Sequence, residues 1–252
     1  PNIYFFINFD IKYNIENKNH PRNLVILPSD MRVDVKWGGI SQVYSTLNLL
    51  KFALNYDVNI EYFHFISGED IVLTNNNNLD GHLSWDTHEI FMDLSSSRKH
   101  QYRVRFYAPH VEKKWQRKIL GKGITFFLKL LDKIIYTKND FWFGSNWFSI
   151  RRGELQILLD NITKCDIDFF KKKLNPDEHF FQYAIIKSEL KSKVSLNGNN
   201  RYIVFDINYN NGNNPIYLNL EDLLVTANTK NFFFARKVDK VTQLNFFEKV
   251  NE

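Results

Sequence analysis

Cysteine is almost absent from this chain of 252 residues, in which Cys165 is the only one. The sequence therefore excludes a disulfide framework and a cysteine-based zinc site, and it favours a reducing compartment. It also lacks a signal peptide and any run of about 18 apolar residues, the length that a membrane crossing requires. We expect the chain neither to span a membrane nor to enter one through its ends.

Dense basic stripes are missing as well, although the net charge at pH 7 is +5. No predicted helix interleaves closely spaced lysine and arginine with aromatic residues, so nucleic acid is not an expected partner. The seven histidines form no pair at metal-ligand spacing within a predicted element. The mild positive charge suits an enzyme that handles a polyanionic nucleotide, or a protein that rests near an acidic membrane surface.

Apolar and aromatic residues are abundant, at 44% and 16% of the chain. This is ample for the core of one large domain, and no repeat or linker divides the sequence. We therefore expect a single domain over residues 1–252. Because Pro1 already lies inside an apolar strand, we expect the natural protein to have further residues before it.

The order of predicted elements indicates an α/β protein. Apolar runs predict strands at Ile3–Phe9, Asn23–Ile26 and Ile60–Ile66. Between the second and third strands, the apolar residues from Ile40 to Leu54 fall at helical spacing. A polar loop, Ser67-Gly68-Glu69-Asp70, follows the third strand. This order predicts a mostly parallel sheet, with ligands bound beyond the ends of its strands.

Further along the chain, the pattern predicts a surface loop at Asn75–Asn78, a strand at Arg103–Tyr107 and a helix at Pro176–Ser188. The segment Lys113–Tyr136 is basic at its start and then strongly apolar, which predicts another helix. A basic amphipathic helix can lie at a membrane interface, so peripheral membrane contact is one interpretation. Docking of this helix on the protein core is the alternative.

Five short segments, in this order, together resemble one known family. They are Trp37-Gly38-Gly39-Ile40-Ser41, Ser67-Gly68-Glu69-Asp70, Gly144-Ser145-Asn146-Trp147-Phe148, Pro176-Asp177-Glu178 with Phe180-Phe181-Gln182, and Phe234-Ala235-Arg236-Lys237-Val238-Asp239. The set is similar to the Core-2/I-branching β-1,6-N-acetylglucosaminyltransferases, a family that also contains peptide O-xylosyltransferases. Ile7-Asn8-Phe9-Asp10 resembles the family's early strand, with Asn8 where a histidine is usual.

The resemblance implies a GT-A type glycosyltransferase fold, in which a twisted, mostly parallel sheet carries helices on both faces. It implies inverting transfer from a UDP-sugar, with UDP-N-acetylglucosamine as the expected donor and no cofactor or divalent metal. On this alignment, about one strand and one helix are missing at the start. Animal members have a membrane anchor and paired cysteines; this sequence shows neither and resembles a bacterial member.

The expected acceptor is a glycan hydroxyl, as in a bacterial surface polysaccharide, and the acceptor could be lipid-linked. The expected location is the cytoplasm or the inner face of the bacterial membrane. Two alternatives stay open: a xylosyltransferase on the same scaffold, and a sugar- or nucleotide-binding protein without turnover.

Glu178 is the candidate catalytic base, because the resemblance places it at the family's catalytic glutamate. A positioned carboxylate that accepts the proton of the attacking hydroxyl accelerates transfer by about 10²–10⁴-fold. The same residues have a second interpretation, since Asn175, Pro176 and Glu178 have the spacing of a helix capping box. Both roles can coexist, because a helix N-terminus favours an ionised carboxylate.

Arg236 and Lys237 are the candidate ligands of the donor diphosphate. The resemblance places the family's diphosphate-binding lysine at Lys237, and Arg236 is expected to face solvent and contribute less. The alternative is an ordinary basic pair at a strand end. A second family arginine has no match here, and Lys230 could replace it. The close match to a metal-binding Asp-x-Asp motif, Asp166-Ile167-Asp168, is interpreted as a solvated loop, so no metal ligand is predicted.

Four further residues are expected to line the substrate site. Asp10 and Trp37 are candidates for holding uridine, and Asp70 is a candidate for binding hydroxyls of the donor sugar. Trp147 is expected to form a wall of the acceptor pocket. Core packing is the alternative for both tryptophans, and a plain turn is the alternative for the segment that ends at Asp70.

Overall fold

A computed structural model of the chain describes residues 3–14, 20–73, 89–96, 98–135, 141–209, 214–229 and 232–251. The chain divides into two units. The first unit comprises Pro1–Phe63, Asp93–Asn146 and Ile150–Ser192, and the second comprises His64–Met92, Trp147–Ser149 and Lys193–Glu252. The loop predicted at Asn75–Asn78 and the candidate Lys230 lie outside the described residues.

Helices and short strands are interspersed along the described segments. The helices are α1 (Ile40–Tyr56), α2 (Tyr102–Arg105), α3 (Ile119–Ile134), α4 (Arg152–Asn161), α5 (Lys164–Phe170), α6 (Phe180–Lys187), α7 (Leu220–Thr229) and α8 (Lys240–Asn251). The strands are β1 (Phe5–Ile7), β2 (Leu24–Ile26), β3 (Tyr62–His64), β4 (Asp70–Val72), β5 (Ile90–Phe91), β6 (Ser95–Ser96), β7 (Trp142–Phe143), β8 (Ser149–Arg151), β9 (Arg201–Ile203) and β10 (Phe234–Arg236). Short 3₁₀ turns cover Ser29–Met31, Arg98–His100, Pro176–Glu178 and Leu190–Lys193.

The strands of the described residues form small sheets of mixed direction. β1 pairs with β2 in parallel, and β6 pairs with β7 antiparallel. A three-stranded sheet has the order β4-β10-β9, in which β10 is antiparallel to β4 and parallel to β9. Another has the order β3-β8-β5. The predicted α/β class is confirmed, whereas a single, mostly parallel sheet is not.

Helix α1 forms where the apolar spacing predicts it. Its buried residues include Val43, Leu47, Leu50 and Leu54, which recur every three or four positions and so lie on one face. The helix begins after Gly39, which offers no side-chain cap. The Glu112 carboxylate takes that place by accepting a hydrogen bond of 3.0 Å from the Ser41 backbone N–H. A carboxylate there also offsets the positive end of the helix dipole.

Two predicted elements are wrong. The segment predicted as a strand at Arg103–Tyr107 instead overlaps the short helix α2, in which Val104 is buried and Tyr102 packs in a cluster with Leu128 of α3. The helix predicted at Pro176–Ser188 is broken at His179. It consists of the 3₁₀ turn Pro176–Glu178 followed by α6.

The second unit has its own apolar core. Seven buried residues form this cluster: Ile71, Leu73, Leu218, Leu223, Ala235, Val238 and Phe246. They come from β4, β10, α7, α8 and the segments beside them, so the core fixes the strand ends that carry Asp70 and Arg236. Of the helices in the described part of the chain, none combines the length and the apolarity that a membrane crossing requires.

Candidate active site

Glu178 lies at the end of the 3₁₀ turn in the first unit, and its carboxylate is held from one side. Arg103 of α2 donates a hydrogen bond to Oε2 and forms an ion pair with it. Oε1 receives one long contact of 3.5 Å, from the Asn175 side-chain amide. The Glu178 side chain is 33% exposed. One oxygen is therefore oriented by a cation, whereas the other makes the long contact to Asn175 and belongs to a side chain that is partly exposed.

Arg103 is charged in this setting. Burial opposes its charge, but the Glu178 carboxylate raises the pKa of Arg103 above its usual value. Its guanidinium therefore orients the Glu178 carboxylate through Oε2. No local sequence signal marks Arg103 as the partner of Glu178, because residues 75 positions apart are brought together only by the fold.

Asp177, the neighbour of Glu178, has a different environment. It is buried, and its Oδ2 lies 3.4 Å from the Gln42 amide nitrogen and 3.5 Å from that of Asn146. Burial, together with the negative charge of Glu178, raises the pKa of Asp177 to about 7. Two adjacent carboxyl groups thus differ in accessibility: Asp177 is buried, whereas the Glu178 side chain is partly exposed.

The turn that carries these residues fits against the loop before α1. The Gly38 carbonyl accepts a hydrogen bond of 3.1 Å from the Asn175 backbone N–H. Gly38 has a φ of +72°, and a Cβ there would lie 2.9 Å from the Asn175 side-chain oxygen. The loop therefore needs glycine, both for its backbone conformation and for this close approach.

The capping box expected at Asn175 and Glu178 is wrong. Asn175 has a φ of 45°, in the left-handed region, and its side chain caps no backbone N–H. It contacts the Glu178 carboxylate instead. Glu178 is therefore not engaged in capping a helix.

Strand β7 fixes the far side of the turn. Gly144 donates its N–H to the Glu178 carbonyl at 3.0 Å, and His179 Nδ1 donates to the Trp142 carbonyl at 2.9 Å. A Cβ at Gly144 would lie 2.0 Å from the Asp93 carbonyl oxygen, so only glycine fits. His179 is buried, and burial lowers its pKa to about 4, which leaves it neutral at pH 7.

In the second unit, Arg236 is directly opposite Asp70 in the pairing of β10 with β4. Its guanidinium donates to Asp70 Oδ1 at 2.9 Å and to the Ser67 hydroxyl, and it lies 4.9 Å from the centre of the Trp147 ring. The Arg236 side chain is 14% exposed. The expectation that Arg236 faces solvent is therefore wrong.

Lys237 follows at the end of β10 and pairs with Glu69 at 3.1 Å. The other oxygen of Glu69 accepts a hydrogen bond of 2.6 Å from the Tyr217 hydroxyl. This hydrogen bond, helped by Lys237 and Arg236, lowers the pKa of Glu69. The two cations thus share an acidic neighbour that sequence reasoning did not single out, although it adjoins the candidate Asp70.

The side chain of Asp70 is fully buried. Besides its bond to Arg236, it accepts a hydrogen bond of 2.8 Å from the Ser67 backbone N–H. The predicted contact of Asp70 with a sugar hydroxyl stays a prediction. In this structure both carboxylate oxygens of Asp70 accept hydrogen bonds from the protein itself. Trp147 is half-buried, with its ring centre 4.8 Å from that of Phe65, and its acceptor role also stays a prediction.

The two uridine candidates lie in the first unit. Asp10 accepts hydrogen bonds from the backbone N–H groups of Lys12, at 3.0 Å, and Val35, at 3.2 Å. Burial works against its charge, but these bonds and the Lys12 ammonium lower its pKa on balance. Trp37 is 57% exposed, so core packing is excluded as its role. The Arg117 guanidinium lies 3.5 Å from the centre of its ring.

The Asp-x-Asp match is not the solvated loop that was expected, because Asp166 and Asp168 lie within α5. Asp166 is buried, forms a capping box with Thr163, and pairs with Lys187 at 2.5 Å. Asp168 pairs with Lys164 and Lys171. Among the described residues, no group of three or more His, Cys, Asp or Glu side chains could hold a metal ion.

The model of the Core-2/I-branching enzyme family matches residues 10–223, and the chain therefore belongs to this family of glycosyltransferases. The match confirms the resemblance found in the sequence. A comparison with curated proteins finds no match.

The family implies transfer of the hexosyltransferase kind, with a nucleotide-sugar donor and a glycan acceptor. Its matched region contains Asp10, Trp37, Asp70, Trp147 and Glu178. The region ends before β10, so the cation pair at the end of that strand lies outside it.

Proposed function

We propose that the chain is an inverting glycosyltransferase of GT-A type that moves N-acetylglucosamine from UDP-N-acetylglucosamine to a glycan hydroxyl without a divalent metal. The observation that carries the proposal is Glu178, which lies within the family match and combines an oriented carboxylate with an accessible oxygen. A bacterial surface polysaccharide is the proposed acceptor.

Glu178 acts as the general base. Its open oxygen, Oε1, takes the proton of the acceptor hydroxyl while that hydroxyl oxygen attacks the anomeric carbon of the donor. The bond from this carbon to the diphosphate breaks on the opposite face, which inverts the configuration. Arg103 holds the carboxylate in one orientation, so this orientation does not have to be gained during the reaction.

Lys237 and Arg236 bind the donor diphosphate and offset the charge that develops as it leaves. A fixed donor of this kind contributes about 10²–10³-fold to the rate. Glu69 pairs with Lys237 at 3.1 Å, so a phosphate oxygen has to compete with this carboxylate. Asp10 and Trp37 are proposed to hold uridine.

The test is thermal unfolding of the full chain with UDP-N-acetylglucosamine, UDP-glucose or UDP-xylose, each in the presence of EDTA. We expect UDP-N-acetylglucosamine to raise the melting temperature most, and transfer to persist with EDTA. A larger shift with UDP-xylose would move the proposal to xylosyl transfer. Activity that is lost with EDTA and restored by manganese would refute metal independence, and no shift with any donor would refute the donor assignment.

A further inference from the structure

Helix α3 has two apolar faces, and within the part of the chain that the structure describes only one of them is covered. The inward face carries Leu128, which is buried, with Ile124 and Leu131 beside it. This face packs on a cluster that includes Val111 and Leu174. These apolar contacts of the inward face hold α3 against its own unit.

The outward face is also apolar. Its exposed side chains are Ile119, Leu120, Phe126, Phe127, Leu130 and Ile134. Ile119 is 91% exposed, Ile134 is 78% exposed and Phe126 is 61% exposed. Residues 119, 126, 130 and 134 are four or seven positions apart, so they form one stripe along the whole helix. An exposed, contiguous apolar stripe that runs along a whole helix marks an interaction surface.

Basic residues accompany the stripe. Lys122, Lys129 and Lys133 are exposed and recur at the same spacing, which places them along one edge of it. The acid of α3, Asp132, is turned to the other side, where its carboxylate pairs with Arg105 at 2.5 Å. Four more exposed basic residues precede the helix: Lys113, Lys114, Arg117 and Lys118. The outward face is therefore apolar and positive, with no acid of α3 to balance it.

We propose that α3 docks this face into the surface of an anionic lipid bilayer, with the helix lying in the plane of the interface. Phe126, Phe127 and Ile134 enter the boundary between headgroups and acyl chains, and the lysines pair with lipid phosphates. Charge complementarity selects this partner. A second copy would bring an equally basic face, whereas an anionic headgroup layer supplies the missing countercharge.

The test is flotation of the full chain with phosphatidylcholine vesicles, with or without phosphatidylglycerol. We expect the protein to float only with the anionic vesicles, and to dissociate as salt is raised. Lys122→Glu and Lys133→Glu should each weaken partitioning by roughly fivefold or more, since a basic residue near the surface contributes about this factor. Phe126→Ser combined with Ile134→Ser should abolish flotation at every salt concentration used.

The matched control is Val241→Ser combined with Leu244→Ser on α8, where both side chains are similarly exposed. This variant should float like the parent, and all variants should keep the parent's melting temperature because the replaced side chains lie in solvent. The proposal is overturned if the parent fails to float with anionic vesicles. It is overturned as well if the α8 variant loses as much vesicle binding as the variant with Phe126→Ser and Ile134→Ser. It is also overturned if sedimentation shows a dimer that Phe126→Ser dissociates while vesicle binding is absent.

Discussion

Replacing Glu178 by Gln asks whether this carboxylate takes the proton of the acceptor. Gln keeps the side-chain length, and its carbonyl oxygen can still accept a hydrogen bond from Arg103. A neutral amide cannot accept the proton, so we expect kcat to fall by about 10²–10⁴-fold. The KM for the donor should change little, because the lost interaction belongs to the transition state.

The structure also sets the cost in stability. The Arg103 side chain is 17% exposed and that of Glu178 is 33% exposed, so solvent screens part of their attraction. Removing one partner of a fully buried ion pair lowers the free energy of unfolding by about 3–5 kcal/mol. Because solvent reaches the pair of Arg103 and Glu178, its loss should lower that free energy by only roughly 1–2 kcal/mol. In a protein of this size, the melting temperature should fall by about 2–8 °C. The variant therefore stays folded under assay conditions.

A double-mutant cycle separates catalysis from positioning. If Glu178 served only to neutralise Arg103, then Arg103→Gln combined with Glu178→Gln would restore much of the activity lost in Glu178→Gln. A catalytic base predicts no recovery, whereas Arg103→Gln alone should keep measurable turnover. The assay is initial-rate transfer with purified variants of matched folded fraction. Transfer by Glu178→Gln at more than about a tenth of the parental rate would refute the assignment, given the expected loss.

Three further variants concern Asp177 and the cation pair Arg236 and Lys237. Asp177→Asn keeps the contacts to Gln42 and Asn146 but removes a carboxyl group whose pKa is raised from 3.8 to about 7. The folded state of the parent holds that proton more tightly, so the parent loses stability as pH rises from about 4 through about 7. The variant should melt at a higher temperature than the parent at pH 8 and at a similar one at pH 4. It should also transfer sugar far better than Glu178→Gln. If the melting temperatures of variant and parent depended equally on pH, the raised pKa of Asp177 would be refuted. Lys237→Ala should weaken UDP binding and slow transfer. Arg236→Ala should do the same and also lower stability by about 3–5 kcal/mol, because it leaves the buried Asp70 carboxylate unpaired. Titration of UDP and melting curves check both, and unchanged UDP affinity in both variants would exclude the cation pair as the diphosphate site.

The local spacing of apolar residues predicted some helices and strands correctly and others wrongly. The spacing from Ile40 to Leu54 predicts α1 because one face of that helix is buried along its length. Arg103–Tyr107 alternates apolar and charged residues as a strand does, yet it contains α2. The tertiary cluster of Tyr102 with Leu128 and Leu174 favours this conformation, and a short sequence window does not contain these contacts.

In the candidate site too, the sequence predicted some features, and others became visible only in the fold. Glu178 was singled out from the family motif, and its accessible carboxylate agrees with that choice. Its partner Arg103 and the pairing of Arg236 with Asp70 depend on which distant segments meet. Register between strands and the docking of a short helix are set by whole-chain packing. A sequence therefore gives the residue types of such a site more readily than their contacts.

The glycine at position 38 limits how this protein can vary. Its φ of +72° disfavours any side chain, and the Asn175 side-chain oxygen lies 2.9 Å from the place of a Cβ. Shortening Asn175 would remove only the second restriction, so no single compensating change can rescue a substitution there. Trp37, one residue earlier and 57% exposed, is under no such packing restriction. Adjacent positions of one motif should thus differ sharply in mutational tolerance: substitutions at position 38 should lower the melting temperature, and substitutions at position 37 should change it little.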